Sequence, residues 1–287
     1  MSMIPEAADV LPDESGHGYA LHGLTVTRGR NPVLDGIDLC LDAPGVVGLI
    51  GPNGAGKTTL LKAMMGFIPP RSGRILYDGR PIGRWPRTEL AQRVAYMAQG
   101  ATCSWPLSVE RVVALGRTPH IKPFARMKAA DLAAIDAAVA ATGIADLRSR
   151  PVTDLSGGER ARVMLARTLA VCPRTLLADE PVAGLDPHYQ LQVMDVLRRT
   201  ADGDRTVLVV LHDLTLAARF CDRLILLDHG RVAADGTPEE VLTPEILGRA
   251  YGVTVHVGRH RDGLYVLPWE VNTAARTDTR PPMQAAG

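Results

Sequence analysis

The sequence has few aromatic residues and no long apolar run. Aromatic side chains make up 4% of its 287 residues, which argues against a surface that binds nucleic acid by stacking on bases. Its longest strongly apolar run, Val207 to Leu211, is strand-length and far short of the roughly 18 residues that a membrane-spanning helix needs. We therefore expect neither a nucleic-acid-binding protein of the stacking kind nor a membrane-spanning chain.

Neither sign of charge is in excess, since 32 Lys and Arg residues stand against 31 Asp and Glu residues. A protein that coats nucleic acid needs a basic face, so no nucleic-acid partner is expected. The first basic residue after the start is Arg28, and acidic residues precede it, which is unlike a signal or transit peptide. The four cysteines are scattered without a CxxC pair, as in a reducing compartment. These observations indicate a cytosolic chain, or one that docks on a membrane from the cytosolic side.

Short strand-like runs alternate with helical patterns along most of the chain. Continuous apolar runs such as Val46–Ile50 and Thr206–Leu211 are each followed by a helical pattern, which predicts an α/β fold with a parallel sheet covered on both faces. Residues 100–150 indicate instead an all-helical insert, within a helical subdomain of about 100–165. Residues 1–18 and 268–287 are expected to be flexible tails on either side of one domain, 19–267.

A glycine-rich loop joins the predicted strand Val46–Ile50 to a helical pattern that begins at Lys57. Glycines allow backbone N–H groups to wrap a phosphate, and a helix N-terminus adds partial positive charge. In the motif GxxxxGK[ST], the lysine reaches the β- and γ-phosphates and the hydroxyl residue binds Mg²⁺. The motif here consists of Gly51, Pro52, Asn53, Gly54, Ala55, Gly56, Lys57 and Thr58, and Thr59 follows it.

Polar residues end two further predicted strands. Asp179 and Glu180 follow an apolar run, and His212 follows Val207–Leu211. An acidic residue there can hold Mg²⁺ and its neighbour can polarise water, although two acids after a strand are often only solvated. A histidine at a strand end is often structural, but in a nucleotide-hydrolysing sheet it can contact the γ-phosphate.

The segment Leu155–Glu159 has the sequence LSGGE and stands before an apolar-faced helix. Ser156 followed by two glycines at a helix N-terminus is an anion-binding arrangement. Taken alone, it is an ordinary helix cap. Its presence in a chain that also has a phosphate-binding loop makes it informative.

With these residues, the chain resembles the ATP-binding cassette (ABC) ATPases over about Tyr19–Leu267. The resemblance implies a P-loop NTPase fold with an antiparallel β subdomain and an all-helical insert subdomain. The motifs occur in the order of that family: the Walker A loop Gly51–Thr58, the Q-loop glutamine Gln99, the signature motif Leu155–Glu159, the Walker B strand Leu176–Glu180, the D-loop Gly184–Asp186 and the switch histidine His212.

The resemblance also implies an ATPase that uses ATP and Mg²⁺. The residues implied to act in catalysis are Glu180, His212 and Lys57. The residues implied to bind Mg²⁺ are Thr58, Gln99 and Asp179. The nucleotide would also contact Ser156, Gly157, Gly158 and Glu159 of a second copy, with Asp186 acting across the dimer. Arg28 stands where the family usually has an aromatic residue that stacks on adenine, and a guanidinium can stack on a base as well.

Two copies of the chain are expected to pair head to tail around ATP, on the cytoplasmic face of the cell membrane. A membrane permease would be a direct partner, and a substrate-binding protein an indirect one. Residues 105–120 and 236–244 are similar to importers of iron chelates (siderophores), haem and cobalamin, and Arg117 is expected to face the permease. The alternative is a soluble ABC ATPase that acts on ribosomes or DNA.

Overall fold

The computed structural model describes residues 17–29, 31–101, 103–261 and 263–272. Most of the expected N-terminal tail, and residues 273–287 of the expected C-terminal tail, therefore lie outside the described residues. The strands, in chain order, are β1 (Tyr19–Arg28), β2 (Asn31–Leu41), β3 (Gly45–Ile50), β4 (Ser72–Tyr77), β5 (Arg80–Pro81), β6 (Val94–Met97), β7 (Thr175–Asp179), β8 (Thr206–Val210), β9 (Arg223–Asp228), β10 (Arg231–Gly236), β11 (Val253–His260) and β12 (Gly263–Val271).

The α-helices cover the sheets and form the insert. In chain order they are α1 (Lys57–Met64), α2 (Arg87–Arg93), α3 (Val109–Ala114), α4 (Ala129–Thr142), α5 (Gly157–Leu169), α6 (Pro187–Thr200), α7 (Leu214–Phe220), α8 (Pro238–Val241) and α9 (Pro244–Tyr251). Helices α4, α6, α7 and α9 each have a clear start or stop residue in the sequence, which are Gly143 after α4 and Asp186, Asp213 and Thr243 before the other three.

The central sheet has six strands in the order β10-β9-β3-β8-β7-β6. The pairs β9–β3, β3–β8, β8–β7 and β7–β6 are parallel, and β10 is antiparallel to β9. Parallel strands end at the same edge of a sheet, so the segments that follow β3, β8, β7 and β6 meet there. The predicted parallel sheet is confirmed, and its edge gathers the loops that carry the sequence motifs.

A second, antiparallel sheet has the order β2-β1-β4-β5. In its register Tyr19 of β1 faces both Leu41 of β2 and Tyr77 of β4. Buried residues of this sheet form one hydrophobic cluster with α1 and with one face of the central sheet. The helix that follows the glycine-rich loop is therefore held between the two sheets.

A buried ion pair connects the helices of the insert. Arg117 lies in the 3₁₀ turn after α3 and is 7% exposed. Its guanidinium donates to Asp131 Oδ1 at 3.0 Å and to the carbonyl oxygen of Ala170 at 2.8 Å. The expectation that Arg117 faces a permease is therefore wrong, because its side chain is buried and its hydrogen bonds connect the turn after α3 with α4 and the end of α5.

The two C-terminal strands form a separate hairpin, β11–β12. This hairpin packs on α7 through Thr215, whose hydroxyl donates to the carbonyl oxygen of Val266 and accepts from its N–H, both at 3.1 Å. Strand β12 continues to Val271, four residues beyond the domain boundary expected at 267. Pro268 and the exposed side chains around it lack the apolar alternation that would have marked them as strand.

Candidate functional site

The glycine-rich loop after β3 has a backbone that only glycine accepts at two points. Gly51 has a φ of 146°, and a Cβ there would lie 2.1 Å from the carbonyl oxygen of Leu227. Gly56 has a φ of 106°, and a Cβ there would lie 2.9 Å from the carbonyl oxygen of Val33. Helix α1 begins at the next residue, so its free N–H groups point into the loop. The result is a preformed cradle for an anion.

The Lys57 ammonium lies across this cradle. Its Nζ donates to the carbonyl oxygens of Gly51 at 2.7 Å and Pro52 at 3.0 Å. Burial lowers the pKa of Lys57, while the carboxylates of Glu180 and Asp179 oppose that shift. The loop therefore carries a positive charge on a side chain whose hydrogen bonds can be exchanged for those of a phosphate.

Asp179 ends β7 and is fully buried. Its Oδ1 accepts from the Thr58 hydroxyl at 3.3 Å, and its Oδ2 accepts from the Tyr96 hydroxyl at 3.2 Å. Burial raises the pKa of Asp179, against the effect of these two hydrogen bonds. Burial and the neighbouring carboxylate also raise the pKa of Tyr96 to about 12. Thr58 and Asp179, expected to share a metal ion, are thus brought together.

Tyr96 is the site residue that sequence reasoning missed. It is the only polar side chain in the strand Val94–Met97, and it stands three residues before Gln99. A polar side chain on this strand, so close to Gln99, was the one feature of the sequence that could have indicated a role for Tyr96 in the site. The contact itself depends on the pairing of β6 with β7, which no local pattern reveals.

Glu180 stands at the centre of the site, between Gln99 and His212. Its Oε2 accepts from Gln99 Nε2 at 2.6 Å, and its Oε1 lies 2.5 Å from His212 Nε2. Its backbone is left-handed, with a φ of 51°, a conformation that costs free energy in a residue other than glycine. Since β6, β7 and β8 end side by side, three residues that are far apart in sequence form one polar cluster.

The signature motif begins α5 with a reciprocal capping box. The Glu159 carboxylate accepts from the Ser156 N–H at 2.9 Å, and Ser156 Oγ accepts from the Glu159 N–H at 3.3 Å. The first of these bonds lowers the pKa of Glu159. Ser156 and Gly157 are exposed. The carboxylate of Glu159, expected to contact nucleotide, is therefore occupied in holding the start of its own helix.

Gly158 packs against the ring of Tyr189, the third residue of α6. A Cβ at Gly158 would lie 2.3 Å from that ring. The Arg162 guanidinium lies 5.3 Å from the ring centroid. Asp186, the expected D-loop residue, caps α6 by accepting from the Tyr189 N–H at 3.1 Å. The signature motif and the D-loop are thus joined through one aromatic side chain.

Other expected site residues lie apart from the polar cluster of Gln99, Glu180 and His212. Arg28 is exposed at the end of β1. Within the described ranges, no hydrogen bond joins Ser156–Glu159 or Asp186 to the glycine-rich loop of the same chain. Nor do three or more His, Cys, Asp or Glu side chains of the described part gather to hold a metal ion. The cluster with metal-binding character is the hydroxyl and carboxylate pair at Thr58 and Asp179.

The fold and this site define a nucleoside triphosphatase of the P-loop class. The family described as "ABC transporter" matches residues 34–183. The chain is 44% identical over 245 residues to the hemin import ATP-binding protein HmuV of Pseudomonas entomophila, covering 84% of this chain and 94% of that protein. It is 41% identical over 260 residues to the cobalamin import ATP-binding protein BtuD of Halobacterium salinarum, covering 90% of this chain and 65% of that protein.

A solved structure agrees in fold. It is described as an inward-facing conformation of a metal-chelate type ABC transporter, and it matches with a TM-score of 0.76 at 22% identity, covering 90% of this chain and 98% of that one. The chain belongs to the ABC transporter family, as an ATP-binding subunit that hydrolyses ATP in coupling to transport. The predicted fold, family and transporter ATPase activity are confirmed, and the transporter is favoured over a soluble ABC ATPase. Among the described residues, no helix is long and apolar enough to cross a membrane.

Proposed function

We propose that this chain energises the import of a metal chelate of the haem, cobalamin or siderophore type. The observation that carries the proposal is the likeness, over most of the chain, to a hemin import protein and a cobalamin import protein. Both cargoes in those names are metal-bearing macrocycles. The proposal further sets the chain on the cytoplasmic face of the cell membrane, bound to a permease that works with a substrate-binding protein.

Co-purification tests this proposal. The tagged chain is extracted gently from native membranes, and the proteins that accompany it are identified by mass spectrometry. A many-spanning permease is expected, and uptake of labelled hemin, cobalamin or a ferric siderophore by the reconstituted complex then identifies the cargo. Recovery of ribosomal proteins or DNA without any membrane protein would overturn the proposal in favour of a soluble ABC ATPase.

The proposed nucleotide site is the loop Gly51–Thr58 with Thr59, on which the triphosphate of ATP would lie. The glycine-only backbone at Gly51 and Gly56 and the ammonium of Lys57 support this assignment. Arg28, exposed at the end of β1, would stack on adenine. Mg²⁺ prefers oxygen ligands, and the hydroxyl of Thr58 beside the carboxylate of Asp179 fits that preference; Gln99 would complete the set. When bound, Mg²⁺ neutralises charge on the phosphates.

The proposed chemistry rests on the pair Glu180 and His212. The Glu180 carboxylate would accept a proton from the attacking water, and its short contacts with Gln99 and His212 hold it in place. His212 would then donate to the γ-phosphate. A positioned carboxylate base of this kind contributes about 10²- to 10⁴-fold to a rate.

The proposed active form is a head-to-tail dimer of two copies. Ser156 and Gly157 are exposed at the start of α5, where free N–H groups and the helix dipole favour an anion. Together with Gly158 and Glu159 they would close on ATP held by the other copy. Asp186 would report the state of one site to the other through its place at the start of α6.

The proposed permease surface is the exposed apolar part of the insert. Five large side chains between residues 105 and 132 are at least 42% exposed: Trp105, Leu115, Phe124, Met127 and Leu132. Phe124 is fully exposed and has a left-handed backbone with a φ of 63°. Large exposed apolar side chains that are concentrated in one stretch of the chain favour an interaction surface, and this stretch replaces Arg117 as the expected point of contact.

A further inference from the structure

The carboxylate of Asp179 is held by a hydroxyl group on each of its two oxygens. Thr58 donates to Oδ1 at 3.3 Å and Tyr96 donates to Oδ2 at 3.2 Å. The terminal torsion of an aspartate is broad, so a carboxylate without fixed partners turns freely about it. Two donors on opposite oxygens therefore set the plane of this group.

Strand pairing sets the contact between Tyr96 and Asp179. In the parallel register of β6 and β7, Tyr96 stands beside Leu177, two residues before Asp179. Side chains two residues apart on a strand share a face, so Leu177 and Asp179 lie on the side of the sheet that Tyr96 also faces. Leu177 packs in the cluster that contains α1, and α1 carries Thr58. Tyr96, Asp179 and Thr58 therefore lie on the same face of the central sheet, as a result of the strand register and the packing of α1.

The hydroxyl groups of Thr58 and Tyr96 would have different roles when a metal ion binds. In the proposed function Thr58 gives its oxygen to Mg²⁺, which weakens its bond to Asp179. The Tyr96 hydroxyl does not compete for the metal, because it donates to the other carboxylate oxygen. Its ring is also held from the side by Phe67, with centroids 6.3 Å apart and ring planes at 75°.

We propose that Tyr96 is a positioning residue, which orients the Asp179 carboxylate toward Mg²⁺ at the phosphate site. This inference rests on the proposed function, since it needs Asp179 to serve the metal. Groups that hydrogen-bond to a metal-binding carboxylate commonly change metal affinity by about 10-fold or more when removed. The role assigned to Tyr96 is therefore measurable without turnover.

The test variant is Tyr96→Phe, which removes the hydroxyl and keeps the ring against Phe67. The matched control is Tyr77→Phe. Tyr77 is a buried tyrosine whose hydroxyl also contacts β7, but at the other end of that strand, where Thr175 Oγ1 lies at 3.4 Å. Both variants lose one hydroxyl beside the same strand, and only the first loses it beside Asp179.

Binding of a fluorescent ATP analogue is measured in EDTA and at increasing Mg²⁺, and binding of Mn²⁺ with a non-hydrolysable ATP analogue is followed by electron paramagnetic resonance. Tyr96→Phe is expected to bind nucleotide normally in EDTA and to need about 10-fold more Mg²⁺ or Mn²⁺ for the same occupancy. Tyr77→Phe is expected to match the wild-type protein in both measurements. Metal affinity equal to wild type in Tyr96→Phe would overturn the inference, and so would an equal loss in both variants.

Asp179→Asn separates this inference from the proposed function beneath it. If Asp179→Asn weakens metal binding and Tyr96→Phe does not, the metal site stands and the positioning role fails. If Asp179→Asn leaves Mn²⁺ binding unchanged, the metal role proposed for Asp179 fails first. Thermal unfolding of each variant checks that the fold is kept.

Discussion

Glu180 combines an unusual backbone with short polar contacts on both of its carboxylate oxygens. Its φ of 51° costs of order 1 kcal/mol or more in a residue with a side chain. Residues in the segments after two other strands hold the carboxylate in return, since its oxygens lie 2.6 Å from Gln99 Nε2 and 2.5 Å from His212 Nε2. Strain that the surrounding structure maintains at one carboxylate is typical of a catalytic group.

Replacing Glu180 by glutamine tests this role. Glu180→Gln keeps the size of the side chain and removes its basicity, so ATP turnover is expected to fall about 10²- to 10⁴-fold. ATP binding should persist, and ATP should hold two copies together as a stalled dimer. Phosphate release, nucleotide binding and size-exclusion chromatography with ATP give the three measurements.

The control is Asp195→Asn, which makes the same charge change at an exposed position of α6. Turnover in this variant should match that of the wild-type protein. Near-normal turnover in Glu180→Gln would contradict the assignment of Glu180 as the base.

At the scale of single residues, motif spacing predicted most of the residues of the candidate site. The glycines and Lys57 follow from the loop pattern, because backbone approach to a phosphate demands those residue types at that spacing. Tyr96 could not be predicted in this way, since its partner Asp179 is 83 residues away. Arg117 was misjudged because a charged side chain was assumed to be exposed, whereas Asp131 and a helix-end carbonyl satisfy it internally.

Among the elements, the start of α5 is shaped by the ring that packs on it. The ring of Tyr189 fills the space that a side chain at Gly158 would need, whereas nothing lies within 4 Å of a Cβ at Gly157. The two positions of the signature motif are therefore glycine for different reasons. Gly158 is required by packing, and Gly157 keeps a helix end open.

Adding one methyl group at each position tests this difference. Gly158→Ala is expected to lower the free energy of unfolding by about 1–3 kcal/mol, the usual cost of overpacking. Gly157→Ala should leave stability unchanged or raise it slightly, since alanine is the better helix former. Urea denaturation measures both. Equal stabilities of the two variants would show that the Tyr189 ring simply moves aside.

The insert depends in the same way on the buried pair Arg117–Asp131. Arg117→Glu places a second carboxylate beside Asp131 and removes the donor to the Ala170 carbonyl oxygen. A buried charge that has lost its partner strongly destabilises a fold, so the urea midpoint should fall markedly and ATP hydrolysis with it. Arg111→Glu, at an exposed position of α3, is the control and should keep the wild-type midpoint. A stable Arg117→Glu protein that has lost only transport would restore the permease-contact interpretation.

For the molecule as a whole, exposed apolar groups indicate where a partner binds. Trp105→Glu with Phe124→Glu is expected to reduce recovery of the permease about 10-fold or more, because apolar anchors dominate such interfaces. ATP affinity of the isolated subunit should not change. Trp269→Glu, on the C-terminal hairpin and also exposed (63%), is the control. Permease recovery that falls only in this control would move the contact surface to the hairpin.

The sequence by itself determined the class of fold, many of the strands and helices, and the residues that are proposed to carry the chemistry. Apolar periodicity and phosphate-binding motifs are local patterns, and local physics fixes their meaning. Only the tertiary structure decided that β6, β7 and β8 end side by side, which brings Gln99, Glu180 and His212 together. It likewise decided that Tyr96 meets Asp179, and that Arg117 is buried. Contacts between distant segments depend on strand order and register, which no short stretch of sequence contains.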